Sequence, residues 1–146
     1  MEMRCFSKKI FVASRYKNDE EYRLTQILRS RFRKALKSQN IKKNSHVLEL
    51  TSCTVDFLKN YLSNQFEEGM TWANHGQWHI DHRKPCASFD LKNEEEQRKC
   101  FHYTNLQPLW GKKNMEKSAK FNEATFEYKW VEKKGWVLRT EIENIS

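Results

Sequence analysis

Asp81 and His82 stand side by side in the run Trp78-His-Ile-Asp-His-Arg-Lys-Pro85. A neutral imidazole can take a proton from water near pH 7. A carboxylate beside it offers a hard oxygen ligand, which suits an ion such as Mg²⁺ that keeps most of its own waters. Further along, Asn114 lies among lysines in Gly111-Lys-Lys-Asn-Met-Glu-Lys-Ser118, and its side-chain carbonyl offers a second oxygen. Phosphodiester hydrolysis needs a nucleophilic water, a group that takes its proton, and charge compensation at the leaving oxygen. Neighbouring side chains on a strand point to opposite sides. In-line displacement also wants the base and the leaving-group ion on opposite sides of phosphorus, so a divergent Asp-His pair fits this reaction. The dipeptide alone is a weak signal; its weight comes from the residues around it.

Those residues include Tyr103-Thr-Asn-Leu-Gln-Pro-Leu-Trp110 and the ending Asn114 to Lys117. The whole arrangement resembles the HNH endonuclease family, whose ββα-metal (His-Me finger) motif has a histidine closing the first strand. That family places an Asn before the second strand and a His or Asn on the following helix. The matching positions are His82, Asn105 and Asn114. The resemblance extends back through Leu48–Gly76 and the first helix, as in small phage and viral members. It implies a DNA endonuclease leaving 5′-phosphate and 3′-hydroxyl ends. His82 would be its general base, and Asp81 and Asn114 the ligands of one Mg²⁺ (or Mn²⁺). Asn105 would tie down the loop between the strands and orient His82. Arg83-Lys84 departs from the family pattern, which more often has apolar residues before the proline. His79 shares a strand face with Asp81, as a third ligand, a phosphate contact or a packed histidine.

The charge is basic and uneven. The 146 residues carry +8, and residues 1–50 hold 13 Lys and Arg against 5 Asp and Glu, so the excess lies in the first third. Basic surfaces attract phosphate backbones through counterion release. DNA contacts are therefore expected from Arg29, Arg33, Lys34 and Lys37 on the first helix, and from Lys112, Lys113 and Lys117 beside the site. No apolar run approaches the ~20 residues that span a bilayer, and the N-terminus lacks the apolar stretch of a secretory signal. The expectation is an intracellular protein, monomeric or homodimeric, that is not membrane-bound. The cysteines at 5, 53, 86 and 100 form no Cys-x-x-Cys pair, so free, packed thiols are expected. A zinc-stabilised interaction domain using Cys86, Cys100 and nearby histidines is the weakest reading. The runner-up is a non-catalytic nucleic-acid-binding module with a degenerate HNH site.

The elements that must position these residues read as one α+β domain over residues 1–146. It would hold a ββα-metal core at about 70–120, helices before it, and a C-terminal hairpin at about 124–143. Leu24, Ile27, Leu28, Phe32, Ala35 and Leu36 mark one face of a helix over Asp19–Ser38, with acidic residues in its first turn. Val55, Leu58, Leu62 and Phe66 mark a second helix over Thr54–Glu67. Trp78–His82 and Leu106–Trp110 read as short strands, and Asn93 as the cap of a helix starting at Glu94. His102 falls at the end of that helix, with a structural role. Lys112–Lys120 has helical composition. Thr125–Val131 and Trp136–Ile142 read as strands around Lys133-Lys134-Gly135. Residues 6–16 carry no assignable pattern.

Overall fold

The computed structural model describes residues 14–16, 18–42, 47–117 and 120–142. It is an α+β arrangement with two small antiparallel sheets, β1–β2 and β3–β4. Cys5, His46 and most of the 6–16 lead-in lie outside the described residues.

Helix α1 (Glu20–Ser38) is capped by the Asp19 carboxylate, which accepts from the Tyr22 amide at 3.0 Å. Glu20 and Glu21 sit where the helix dipole favours anions. Leu24, Leu28, Phe32 and Leu36 recur at four-residue steps and are all buried. Helix α2 (Val55–Ser63) is capped by Thr54 and buries Leu58 and Leu62. It stops one turn short of the expected Glu67. The amides of Gln65 and Phe66 bond back to Leu62 and Ser63, tightening the last turn, and the Phe66 ring leaves the helix to pack on Trp72 and Trp78. The tertiary packing of one aromatic overrides the helical pattern.

Strands β1 (Trp78–His82) and β2 (Leu106–Trp110) pair antiparallel, with His79 opposite Leu109, Asp81 opposite Gln107 and His82 opposite Leu106. Between them lies helix α3 (Glu94–Phe101), where Asn93 accepts from the amides of Glu95 and Glu96. Three short 3-10 turns, Val47–Thr51, Cys86–Ser88 and Tyr103–Asn105, fill the connections. Helix α4 (Gly111–Lys117) follows β2 without a loop and packs on both strands. It ends before the expected Lys120, whose amide bonds back to the Lys117 carbonyl; residues 118–119 lie outside the described part. The core joins the inner faces of α1, α2, β1, α3 and β2. Phe32 and Phe101 meet at a 4.4 Å centroid distance at its middle.

The C-terminal hairpin is shorter than its composition suggests. Its strands are β3 (Tyr128–Val131) and β4 (Gly135–Leu138), and residues 139–142 form one helical turn, α5 (Arg139–Ile142), instead of continuing the strand. The Arg139 amide bonds to the Glu127 carbonyl as the last link beyond the ladder. Ahead of β3, the Asn122 side chain accepts from the Ala124 amide and holds a turn where strand was expected. The hairpin covers the end of α3: the Trp136 amide donates to Thr104 Oγ1 at 2.8 Å and its indole to the Lys99 carbonyl at 2.9 Å. Gly135 has φ +83°, and a β-carbon there would lie 2.4 Å from Thr104 Oγ1. Gly135→Ala is accordingly expected to destabilise the fold by more than about 1 kcal/mol, through both backbone strain and collision. Urea denaturation of the variant beside the parent chain measures it.

Candidate active site

Alternation along β1 sends Trp78, Ile80 and His82 into the core and turns His79 and Asp81 to the other face. Asp81 as a whole residue is only 9% exposed. Its Oδ2 accepts from Gln107 Nε2 at 3.0 Å, directly across the β1–β2 pair, and from Lys117 Nζ at 2.6 Å. Lys117 also donates to the His82 carbonyl, so one ammonium group ties α4 to both residues. Lys117, expected to contact DNA phosphate, has its ammonium paired with Asp81 in this arrangement. Asn114 is half-buried on α4, one helical turn before Lys117 and thus on the same side of the helix.

His82 leaves the strand the other way. Its ring packs against the touching pair Phe32 and Phe101, at centroid distances of 5.9 and 5.7 Å. It is 8% exposed, and Nε2 is enclosed without a hydrogen-bond partner. Beside it are two thiols. Cys100 Sγ donates to Cys86 Sγ at 3.5 Å, and a ring nitrogen of His82 and both sulfurs all lie within 4.8 Å of one another. The Cys86 thiol is pulled down to about 5, first by the hydrogen bond from Cys100, against burial, and then by His82 and the Arg31 charge. Cys100 moves the opposite way, pushed up by burial first.

Asn105 is fully buried in the turn before β2. Its Oδ1 accepts from the Lys84 amide at 2.9 Å, and its Nδ2 donates to the carbonyls of Lys84 at 3.1 Å and Cys100 at 2.8 Å. It thereby joins the loop after His82 to the end of α3. Arg83, the departure from the family pattern, is a structural hub. Its guanidinium donates to the Thr104 carbonyl, Gln107 Oε1, the Tyr128 hydroxyl and Gln65 Oε1. Lys84 pairs with Glu123 and sits over the Phe89 ring. Both basic residues contact the C-terminal segment, Arg83 at Tyr128 and Lys84 at Glu123.

His79 packs where β2 passes into α4, its Nε2 3.2 Å from where a Gly111 β-carbon would stand. Burial, then the Arg31 charge, lowers its pKa. Burial likewise drives His75 down to about 4, and it lowers His102, whose Nδ1 meets Thr104 Oγ1 at 2.7 Å. His102 thus supports the Thr104 hydroxyl that receives the hairpin's Trp136 amide.

A cavity of about 340 Å³ next to Asp81 is lined by Arg83, Gln107, Lys117, Lys120, Phe121 and Tyr128, among others. A larger one, about 720 Å³, lies between α3 and the hairpin and touches none of Asp81, His82 or Asn114. On α1, Arg33, Lys34 and Lys37 are exposed and Arg29 is half-buried. Lys112 is exposed, and Lys113 pairs with Glu67 at 3.1 Å. Sequence reading missed Gln107 and Arg31. The first had a signal, its place opposite Asp81. The second donates from α1 to the Ile80 carbonyl in β1, a contact no local pattern announces. Among the described residues no helix is long and apolar enough to cross a membrane.

No family model matches the chain, and no solved structure does. It is similar to an uncharacterized protein of Acanthamoeba polyphaga mimivirus, 43% identical over 96 residues, covering 65% of this chain and 41% of the relative. A second uncharacterized protein of that virus is 40% identical over 108 residues, covering 73% of this chain and 47% of the relative. The chain spans less than half the length of these curated relatives.

Proposed function

We propose that this chain is a metal-dependent HNH-type endonuclease that hydrolyses DNA, leaving 5′-phosphate and 3′-hydroxyl ends, with β1, β2 and α4 as its ββα-metal core. One observation carries the reading: adjacent residues of β1 send a nearly buried carboxylate and an imidazole with an unpartnered nitrogen to opposite faces. The carboxylate side fits a hard divalent ion. Asp81 Oδ2 already holds a cationic group, and Asn114 lies on the adjacent side of α4. Bound by Asp81 and Asn114, Mg²⁺ or Mn²⁺ would supply charge compensation at the phosphate and the leaving oxygen.

The chain's own groups do the rest. His82 takes the proton of the attacking water at Nε2, the nitrogen with no other partner. Asn105 holds the loop after His82 and fixes the strand end that carries it. Lys117, Lys120 and Arg83 line the neighbouring groove with positive charge for phosphate oxygens. The exposed basic side of α1 adds sequence-independent affinity. Changing Arg29, Arg33 and Lys37 together to Glu is expected to weaken DNA binding and to flatten its salt dependence. The logarithmic slope should fall by about one for each phosphate that is no longer neutralised. An unchanged slope in a titration across salt would remove α1 from the interface.

The second reading is a non-catalytic nucleic-acid-binding module. The enclosure of the His82 ring and the existing Lys117–Asp81 pair favour it. Incubating supercoiled plasmid with the protein and Mg²⁺ separates the two: nicked or linear product supports the endonuclease, and salt-sensitive binding without cutting supports the module.

A further inference from the structure

We propose that His82, Cys86 and Cys100 form a second, soft-metal site for Zn²⁺, distinct from the oxygen ligands of Asp81 and Asn114. Tetrahedral zinc with Zn–S near 2.3 Å and Zn–N near 2.05 Å requires ligand separations of about 3.8 Å between sulfurs and about 3.5 Å from sulfur to nitrogen. The two sulfurs are 3.5 Å apart, and no pair in the cluster exceeds 4.8 Å. Movements of about an ångström or less therefore bring all three atoms onto one ion.

Charge and burial favour this ion in particular. Cys100 is 0% exposed and His82 8%. A lone divalent ion in such a place would be strongly disfavoured by lost hydration. Two thiolates and a neutral imidazole around Zn²⁺ sum to zero charge, which removes that obstacle. On binding, a ligand thiol that still carries its proton gives it to solvent, and His82 coordinates through an unprotonated nitrogen. The charged groups facing the cluster are Arg31, Lys84 and Glu96. Sulfur ligands discriminate against Mg²⁺ as strongly as the carboxylate side favours it. Among the described residues three positions of the tetrahedron are filled, the number found in open rather than purely structural zinc sites.

The regulatory consequence rests on the endonuclease reading. His82 cannot accept a proton while its nitrogen holds zinc, so occupancy of the soft site silences the hard one. Zinc would act as an inhibitor of Mg²⁺-supported cutting.

The test uses the full chain in a phosphine reductant, titrated with Zn²⁺ alone and with Co²⁺ alone. One ion per chain is expected, with Co²⁺ giving thiolate-to-metal charge-transfer absorption. Cys86→Ala and Cys100→Ala should each weaken binding by about 100-fold or more and reduce that absorption. Cys53→Ala, a half-buried thiol outside the cluster, should change neither. Thermal melts of all variants identify any that fail to fold, and either cluster variant alone suffices. Equal binding by parent and cluster variants, or cobalt binding without thiolate absorption, would overturn the site. In parallel, the ratio of plasmid-cutting rates with and without one equivalent of Zn²⁺ should fall at least tenfold for the parent chain and stay near one for Cys86→Ala. A parent chain that binds zinc through the thiols yet cuts equally fast overturns the inhibition. A chain that never cuts overturns the endonuclease reading while the titration still decides the site.

Discussion

Replacing His82 by alanine is expected to slow Mg²⁺-supported cleavage of supercoiled plasmid by about 10²–10⁴-fold, the usual contribution of a positioned general base. The chain should stay folded. The imidazole packs against Phe32 and Phe101, so its loss leaves a cavity with a stability cost. Part of that cost is offset, because the substitution also removes a buried nitrogen that has no partner. His82→Gln serves as the companion variant: it keeps polar volume in the pocket but cannot take a proton at neutral pH. Equal rate losses in both variants, with melting curves close to the parent, assign the effect to proton transfer. A glutamine variant that cuts at the parent rate would leave His82 a packing residue.

Asn105→Ala is expected to produce the largest loss of stability of any single substitution in the site. The side chain is fully buried and makes three hydrogen bonds, to the Lys84 amide, the Lys84 carbonyl and the Cys100 carbonyl. Leaving a buried polar group without its partner costs about 1–3 kcal/mol, so the three together predict a loss of about 3 kcal/mol or more. The midpoint of urea denaturation should fall with its slope unchanged. Cleavage should fall too, because the loop carrying Arg83 and Lys84 is no longer joined to α3. A loss below about 1 kcal/mol would mean that the loop is held by other groups, such as the Arg83 guanidinium.

The elements that positioned the site were legible where the signal was local. Asp19, Thr54 and Asn93 cap their helices through amides only two or three residues away, and a cap of that kind is written in the sequence itself. Strands β1 and β2 likewise stood out from their patterns. The misread ends, at α2, α4 and the hairpin, are places where distant packing or a backbone turn decides. Phe66 continues the helical stripe in sequence but packs on Trp72 and Trp78 in space.

Within the site, residue types were legible and their partners were not. Arg83 looked like an intrusion because the groups it binds, Gln65, Thr104, Gln107 and Tyr128, come from three separate stretches of the chain. Lys117 looked solvent-facing because the carboxylate that claims it lies 36 positions earlier. Cys86 and Cys100 had no close-spaced pairing to mark them, yet the Cys86–Ser88 turn and helix α3 bring their sulfurs together against His82.

The central claim is hydrolysis that depends on a hard ion held at Asp81. Its most direct measurement is cleavage of supercoiled plasmid by the parent chain with Mg²⁺, with Mg²⁺ plus excess EDTA, and with Asp81→Ala purified in the same way. Nicked or linear DNA is expected in the first case and intact plasmid in the other two. Cutting that persists in EDTA or in Asp81→Ala, or intact plasmid with both Mg²⁺ and Mn²⁺, would contradict it.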